Sequence, residues 1–265
     1  MHNGGTKILS QLKNYVLDNS SVILFFAAWE LLPRYGILNK AIIPSFSAVV
    51  QKLYALAVQG ELLGHMLISL QRAGIGFFLA AAIGIPAGFL LGGVFRTLEK
   101  MLLPFLRLLE KINPFALFPV FILIFGIGEG SKVSLIYWVS QWPIIFNTIM
   151  GTRGIDPLLI KTGRTMGASN IELFFKVILP AAMPGIFNGL KLGAQLSFIM
   201  VISAEMLGSS SGMGWLTKNA QETYKITQLF GATMFIAVLG LIINKIFRLI
   251  EARLLVWRES TFEEH

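Results

Sequence analysis

Long apolar stretches alternate with short basic ones along this chain, and that alternation predicts helices rather than strands. Ala73 to Phe95, Ile112 to Gly128, Val133 to Thr152 and Ile226 to Asn244 contain no charged residue, and Leu192 to Leu216 contains only Glu205. A helix needs about 20 mostly apolar residues to cross the hydrocarbon core. Backbone groups without partners are too costly in lipid for open irregular structure. A further apolar stretch begins near Val16 and runs through Trp29, Leu31 and Leu32 past Glu30. It shows no small-residue cleavage pattern, so it reads as a retained first membrane helix rather than a cleaved signal. The expectation is an all-α membrane protein with about six transmembrane helices.

The polar intervals orient these spans. Lys7 and Lys13 precede the first, Arg96 and Lys100 join the second and third, and Arg153, Lys161, Arg164 and Lys176 join the fourth and fifth. Lys245, Arg248, Arg253 and Arg258 follow the sixth. All fall on one side of an alternating bundle, while Lys40, Lys52, Lys132, Lys218 and Lys225 fall on the other. The excess of Lys and Arg predicts that both termini are cytoplasmic.

Composition agrees with this picture. Of 265 residues 55% are hydrophobic and 14% charged, against about 25% charged in soluble domains, and the mean hydropathy is +0.70. The net charge of +8 sits at span ends, not on one soluble face, so it does not read as a nucleic-acid footprint. There is no cysteine, which removes disulfides, thiolate metal sites and a cysteine nucleophile. His2 and His265 lie at the ends and His65 in a predicted loop, so a histidine metal site in the membrane is not expected. No internal repeat or dividing linker is visible.

Outside the spans, Phe46, Val49, Val50, Leu53, Tyr54 and Ala57 recur at helical spacing after Pro44 and Ser45. They predict an amphipathic helix, either on the outer interface or packed on its own protein. Ala80, Gly84, Gly88 and Gly92 repeat every four residues, as do Gly185, Gly189 and Gly193. Such small-residue stripes let helices approach closely, within one subunit or between two. Pro86, Pro114, Pro119 and Pro143 fall inside spans and invite kinks.

The interval from about 153 to 184 carries the most information. Ser169, Asn170, Ile171 and Glu172 form a capping-box pattern, and Ile171, Phe174, Phe175 and Ile178 then make an apolar stripe. Gly167 precedes the cap, where a bend is easy, and Pro180 and Pro184 are expected to close the element. Two short helices hinged at Gly167 would thus present a surface to a cytoplasmic partner, or merely cap the bundle. At membrane depth, Asn113, Gln141, Asn147, Gln195, Ser197, Ser203 and Glu205 are candidates for a solute path, or for helix–helix hydrogen bonds. Arg72, near the outer end of span two, could attract an anion or snorkel to the interface. Glu205 in a pore would repel an anion. An intramembrane enzyme is disfavoured, because the spans lack histidine and both Asp18 and Asp156 lie outside them. An ATPase-independent channel or carrier remains an alternative.

The loop resembles that of permease subunits of binding-protein-dependent ABC importers, whose form is E-A-A, three residues, G, nine residues, I-x-L-P. The glycine is Gly167, and nine residues later come Val177, Ile178, Leu179 and Pro180. Lys161, Thr162 and Gly163 stand where Glu-Ala-Ala is expected, which removes the glutamate of the family pattern. Pro44-Ser45, Ser69 to Phe77, Phe125 to Glu129 and Ser211 to Leu216 resemble the branch that imports aliphatic sulfonates, taurine, nitrate or bicarbonate; permeases for pyrimidine precursors of thiamine look similar. The resemblance implies a type I importer permease, one transmembrane domain over 1–265, in a bacterial inner membrane. It implies a second permease copy as a homodimer, two cytoplasmic ATPase subunits and an extracytoplasmic solute-binding protein. Gly167, Ala168, Ser169, Ile171, Glu172, Phe174 and Pro180 would form the ATPase-coupling surface. No G-x-x-x-x-G-K-[ST] loop is present, so ATP and Mg would belong to the partner ATPase, and no catalytic residue, cofactor or metal is expected in this chain.

Overall fold

A chain dissolved in lipid must pair its backbone groups internally, and this one does so with helices. The computed structural model describes residues 20–254. Lys7, Lys13, Val16, Asp18, Arg258, His2 and His265 lie outside those residues. In order come α1 (Ser20–Arg34), α2 (Phe46–Val58), α3 (Glu61–Phe89) with a π turn at Leu90–Val94, α4 (Arg96–Glu110) and α5 (Pro114–Phe125). They are followed by α6 (Glu129–Arg153), α7 (Pro157–Thr165), α8 (Asn170–Leu173), a π turn at Phe174–Ile178, α9 (Leu179–Gly208), α10 (Met213–Glu222) and α11 (Ile226–Leu254).

Among the described residues, three helical runs are long and apolar enough to cross a membrane: Glu61–Gly93, Asn170–Gly208 and Ile226–Leu254. The segments Thr97–Glu110 and Pro114–Phe125 make a fourth if taken together, bent by 92° at their junction. The bend follows from Pro114, which opens α5 at its first position, where a missing N–H costs nothing. Asn113 caps that helix by accepting from Phe115 N at 2.9 Å. Pro114 therefore starts a helix instead of kinking one. The fourth predicted span is α6, whose 25 residues suffice in length and whose Ser, Gln and Thr side chains face protein instead of lipid. The first corresponds to α1, described from Ser20 onward.

The described residues divide into two compact units, 20–63 with 216–235, and 64–215 with 236–254. In the first unit Trp29 Nε1 donates to Pro44 O at 3.1 Å, and Phe26, Trp29, Phe46 and Phe230 form a ring cluster. Ser45 precedes α2 without a side-chain capping bond. Glu30 supplies one instead, accepting from Ser47 N at 2.9 Å and pairing with Arg34. Val49 and Leu56 are buried while Val50, Tyr54 and Val58 are exposed, so one face of α2 packs on its own protein.

The second unit is organised by α6. A Cβ at Gly84 would lie 3.0 Å from Ile144, one at Gly88 2.5 Å from Thr148, and one at Gly92 3.0 Å from the Ile149 backbone. A Cβ at Gly185 would lie 2.6 Å from Gly151 Cα, and ones at Gly189 and Gly193 3.0 Å from the α6 backbone at Pro143 and from Ile144. Both glycine stripes therefore press on the same helix within one chain. Helices this close gain dispersion contacts where lipid offers no hydrophobic drive.

Candidate functional site

At one end of the second unit the chain makes the predicted hinge. Asp156 caps α7 by accepting from Leu158 N at 2.8 Å. The helix then closes with Gly167 N donating to Arg164 O at 3.0 Å and Ala168 N to Gly163 O at 3.1 Å. That pair of bonds is a Schellman motif, which needs a left-handed residue just past the helix. Gly167 fills it at φ +82° with open space around it. Ser169 and Glu172 complete a reciprocal capping box, and Lys176 Nζ lies 3.0 Å from Glu172 Oε1. The Ser169 N–H, then the Lys176 ammonium, hold the Glu172 carboxyl down at about 2 from an ordinary 4.5.

The apolar stripe expected after the cap divides in two. Leu173 is buried, and Phe174 packs edge-on against Phe89 at 5.3 Å. Phe174 and Ile178 line an apolar cavity of about 590 Å³ with Ile85, Phe89, Ile155 and Ile160. Met166, Ile171 and Phe175 point outward, 82%, 72% and 61% exposed. Gly163 matters here as well. A Cβ there would sit 2.8 Å from Leu173 Cδ1, the movable end of that side chain, so Gly163 faces α8 where it meets α7.

The structure corrects the expectation that Pro180 and Pro184 close the element. Helix runs without a stop from Asn170 to Gly208, 39 residues. The π turn explains why: Leu179 N donates five residues back to Phe174 O, and the registry shift carries the helix through the missing N–H of Pro180. At about 1.5 Å per residue this rod is about 58 Å long.

Glu205 sits near the far end of that rod, fully buried. Its carboxylate accepts from Arg72 Nη1 at 2.8 Å, Ser69 Oγ at 2.8 Å and Gly214 N at 2.9 Å. Arg72 is also buried, and its other N–H groups reach both oxygens of Glu129, the Ser211 carbonyl at 2.7 Å and the Ser211 hydroxyl at 3.1 Å. Lys132 Nζ pairs with Glu129 at 3.2 Å. All five guanidinium donors are thus used inside the chain, so Arg72 neither snorkels nor offers an empty anion site. The buried Glu205 and the exposed Glu129 face two cations, Arg72 and Lys132, so Glu205 presents no uncompensated charge to an anion. Backbone fit is equally tight, since a Cβ at Gly212 (φ +108°) would fall on the Glu205 carboxyl. His65 lies in α3, not in a loop, accepting from Gly212 N at 3.0 Å and facing Trp215.

The remaining path candidates other than Gln141 bond within the chain. Asn147 donates to Pro143 O and accepts from Asn188, both at 2.8 Å. Gln195 donates to Asn244 at 3.0 Å, Ser197 to Ala194 O at 2.8 Å and Ser203 to Ile199 O at 3.2 Å. Asn113 is a helix cap, and Gln141 is buried. Sequence reasoning missed Glu129 and Ser211 as partners of Arg72 and Ser69 as a partner of Glu205, and missed the buried Glu99 that pairs with Arg153 at 2.6 Å where α4 meets the end of α6. A signal for the first three existed. The stretches Ser69–Phe77, Phe125–Glu129 and Ser211–Leu216, each notable by itself, converge on one guanidinium.

Residues 84–256 match the family described as the binding-protein-dependent transport system inner membrane component. The chain belongs to this family. It is 35% identical over 237 residues to the putative aliphatic sulfonates transport permease protein SsuC of Bacillus subtilis, covering 89% of this chain and 86% of that one. It is 31% identical over 185 residues to the nitrate import permease protein NrtB of Leptolyngbya laminosa, covering 70% and 66%. A chain of the inward-facing MetNI methionine ABC transporter superposes with a TM-score of 0.64 at 19% identity, covering 75% of this chain and 98% of that one, which shows the fold. This chain is accordingly a multi-pass permease of the ABC importer class, a family in which such a loop and coupling helix are typical.

Proposed function

We propose that the chain forms the translocation path for a small anion, in the chemical class of the sulfonates and nitrate that its relatives are named for. In this account two copies pair in a bacterial inner membrane, with both termini cytoplasmic. Separate ATPase subunits bind ATP and Mg and dock on Met166, Ile171 and Phe175, and a binding protein delivers solute outside. The chain itself performs no catalysis.

The observation that carries this account is the single helix joining the capped, exposed docking patch at Ser169–Phe175 to the buried Glu205 at its other end. Closure of the ATPase pair would displace the Ser169 end. A stiff rod passes that displacement to Glu205, and through Arg72 and Ser69 to α3 and through Glu129 to α6. Nucleotide biases the transition only if the docked ATPases bind one arrangement better than the other. The neutral Arg72 cluster then serves as a clasp between span ends, not as a solute site.

Reconstitution tests the account. Purified chain with its ATPase and binding protein in vesicles should take up labelled taurine or nitrate only with ATP. Uptake of the same solute without ATPase would support a free-standing carrier instead.

A further inference from the structure

A polar concavity lies in the first unit. It measures about 550 Å³ and is lined by Lys40, Lys52, Tyr224, Lys225, Thr227 and Gln228 among others, with no carboxylate in its wall. None of the three lysines has an ion-pair partner among the described residues. Three such cations meet at one concavity, whereas Arg34, Arg72, Lys132, Arg153, Lys176 and Lys191 each pair with a carboxylate.

Tyr224 makes this surface unusual. Tyr224 N donates to Gln221 O at 3.2 Å and Lys225 N to Ala220 O at 2.9 Å. This is the same Schellman closure that ends α7, with tyrosine in the place where Gly167 stands there. Its φ is +54°, the one left-handed non-glycine among the described residues, and its side chain is 84% exposed. A bulky residue held in that region is strained, and strain of this kind persists at sites where it serves function. Glycine would close the helix without strain, so a feature other than folding favours the ring. Exposed tyrosines are enriched as anchors in protein interfaces.

We propose that this pocket is the docking surface for an acidic projection of the extracytoplasmic binding protein, with Tyr224 as its apolar anchor and Lys40, Lys52 and Lys225 as its steering charges. The inference rests on the permease assignment and on the span alternation that puts residues 35–60 and 217–225 outside. Size decides between occupants. A volume of about 550 Å³ lies within the range of about 300–1,000 Å³ that holds drug-sized ligands, far more than nitrate or a short sulfonate fills. One or two acidic side chains on a loop fit it. Unpaired charges of this kind speed and orient association more than they tighten it, which suits a partner that must come and go.

The test uses the complete transporter in vesicles, with ATPase stimulation by its binding protein as the readout. K40E/K52E/K225E should raise the half-saturating binding-protein concentration by roughly tenfold or more and weaken its salt dependence, while the three Lys→Arg changes leave both near wild type. Tyr224→Gly should unfold at no lower temperature than wild type yet also need more binding protein, a pairing that a purely structural tyrosine cannot give. Carbodiimide should join Lys52 to a carboxylate of the binding protein. Unchanged half-saturation in both the triple charge reversal and Tyr224→Gly would overturn the proposal. So would a raised KM for the solute at unchanged half-saturation, which would mark a small-anion site. A wild-type ATPase indifferent to any binding protein would overturn the permease assignment beneath it.

Discussion

Glu205 and Arg72, 133 residues apart in sequence, meet at 2.8 Å with neither side chain more than 6% exposed. Burying such a pair adds little net stability, but removing one member leaves an uncompensated charge in low dielectric, typically at about 3–5 kcal/mol. Arg72→Met should therefore be strongly destabilising, and Arg72→Met combined with Glu205→Met less so than the two single changes summed. Thermal unfolding of the detergent-solubilised chain in a double-mutant cycle checks this.

Gly167 has room for a side chain but not the backbone for one. Gly167→Val should cost about 1–2 kcal/mol locally through its left-handed φ, leave membrane insertion intact, and uncouple ATP hydrolysis from uptake. Gly167→Asn should keep more coupling, because Asn tolerates that region. ATPase and uptake rates measured on the same vesicles read out both.

The glycines of α3 are not equivalent. Gly88→Leu would drive its Cβ onto Thr148, 2.5 Å away, and should abolish assembly of the bundle, since overpacking a fixed backbone contact has no cheap relief. Gly74→Ala meets nothing within 4 Å and should be neutral or stabilising by up to about 1 kcal/mol from helix propensity. Yield of monodisperse protein separates the two.

The cap on α8 carries its own pH dependence. The Glu172 carboxyl is held at about 2, below its ordinary 4.5, first by the Ser169 N–H and then by Lys176. A depressed carboxyl stabilises fully above its unfolded value and loses that contribution as pH falls toward the folded one. Amide protection of residues 169–173, corrected for intrinsic exchange, should be flat from pH 8 to 5 and decline below about 4.5. Glu172→Gln should remove the decline.

What the sequence made legible was local. Ser169 and Glu172 sit three apart, so their capping box could be read directly, and so could the left-handed demand at Gly167. Spacing also announced that Gly84, Gly88 and Gly92 touch something, but not that the something is α6, because a stripe carries no record of the surface opposite. Pro180 misled for a different reason: a π turn lets helix pass a proline that normally ends one. The Arg72 cluster could not be paired from spacing, since Glu129, Glu205 and Ser211 all arrive from outside the helix that carries Ser69 and Arg72. Tyr224 occupies a glycine position that no propensity would assign to it.

The coupling surface can be tested directly, because the chain has no cysteine and one introduced at Phe175 is unique. Phe175→Cys should react with membrane-impermeant maleimide in inside-out vesicles, remain unreactive in intact spheroplasts, and lose reactivity when the ATPase subunits are bound. Labelling from the outside, or labelling indifferent to the ATPase, would contradict the account.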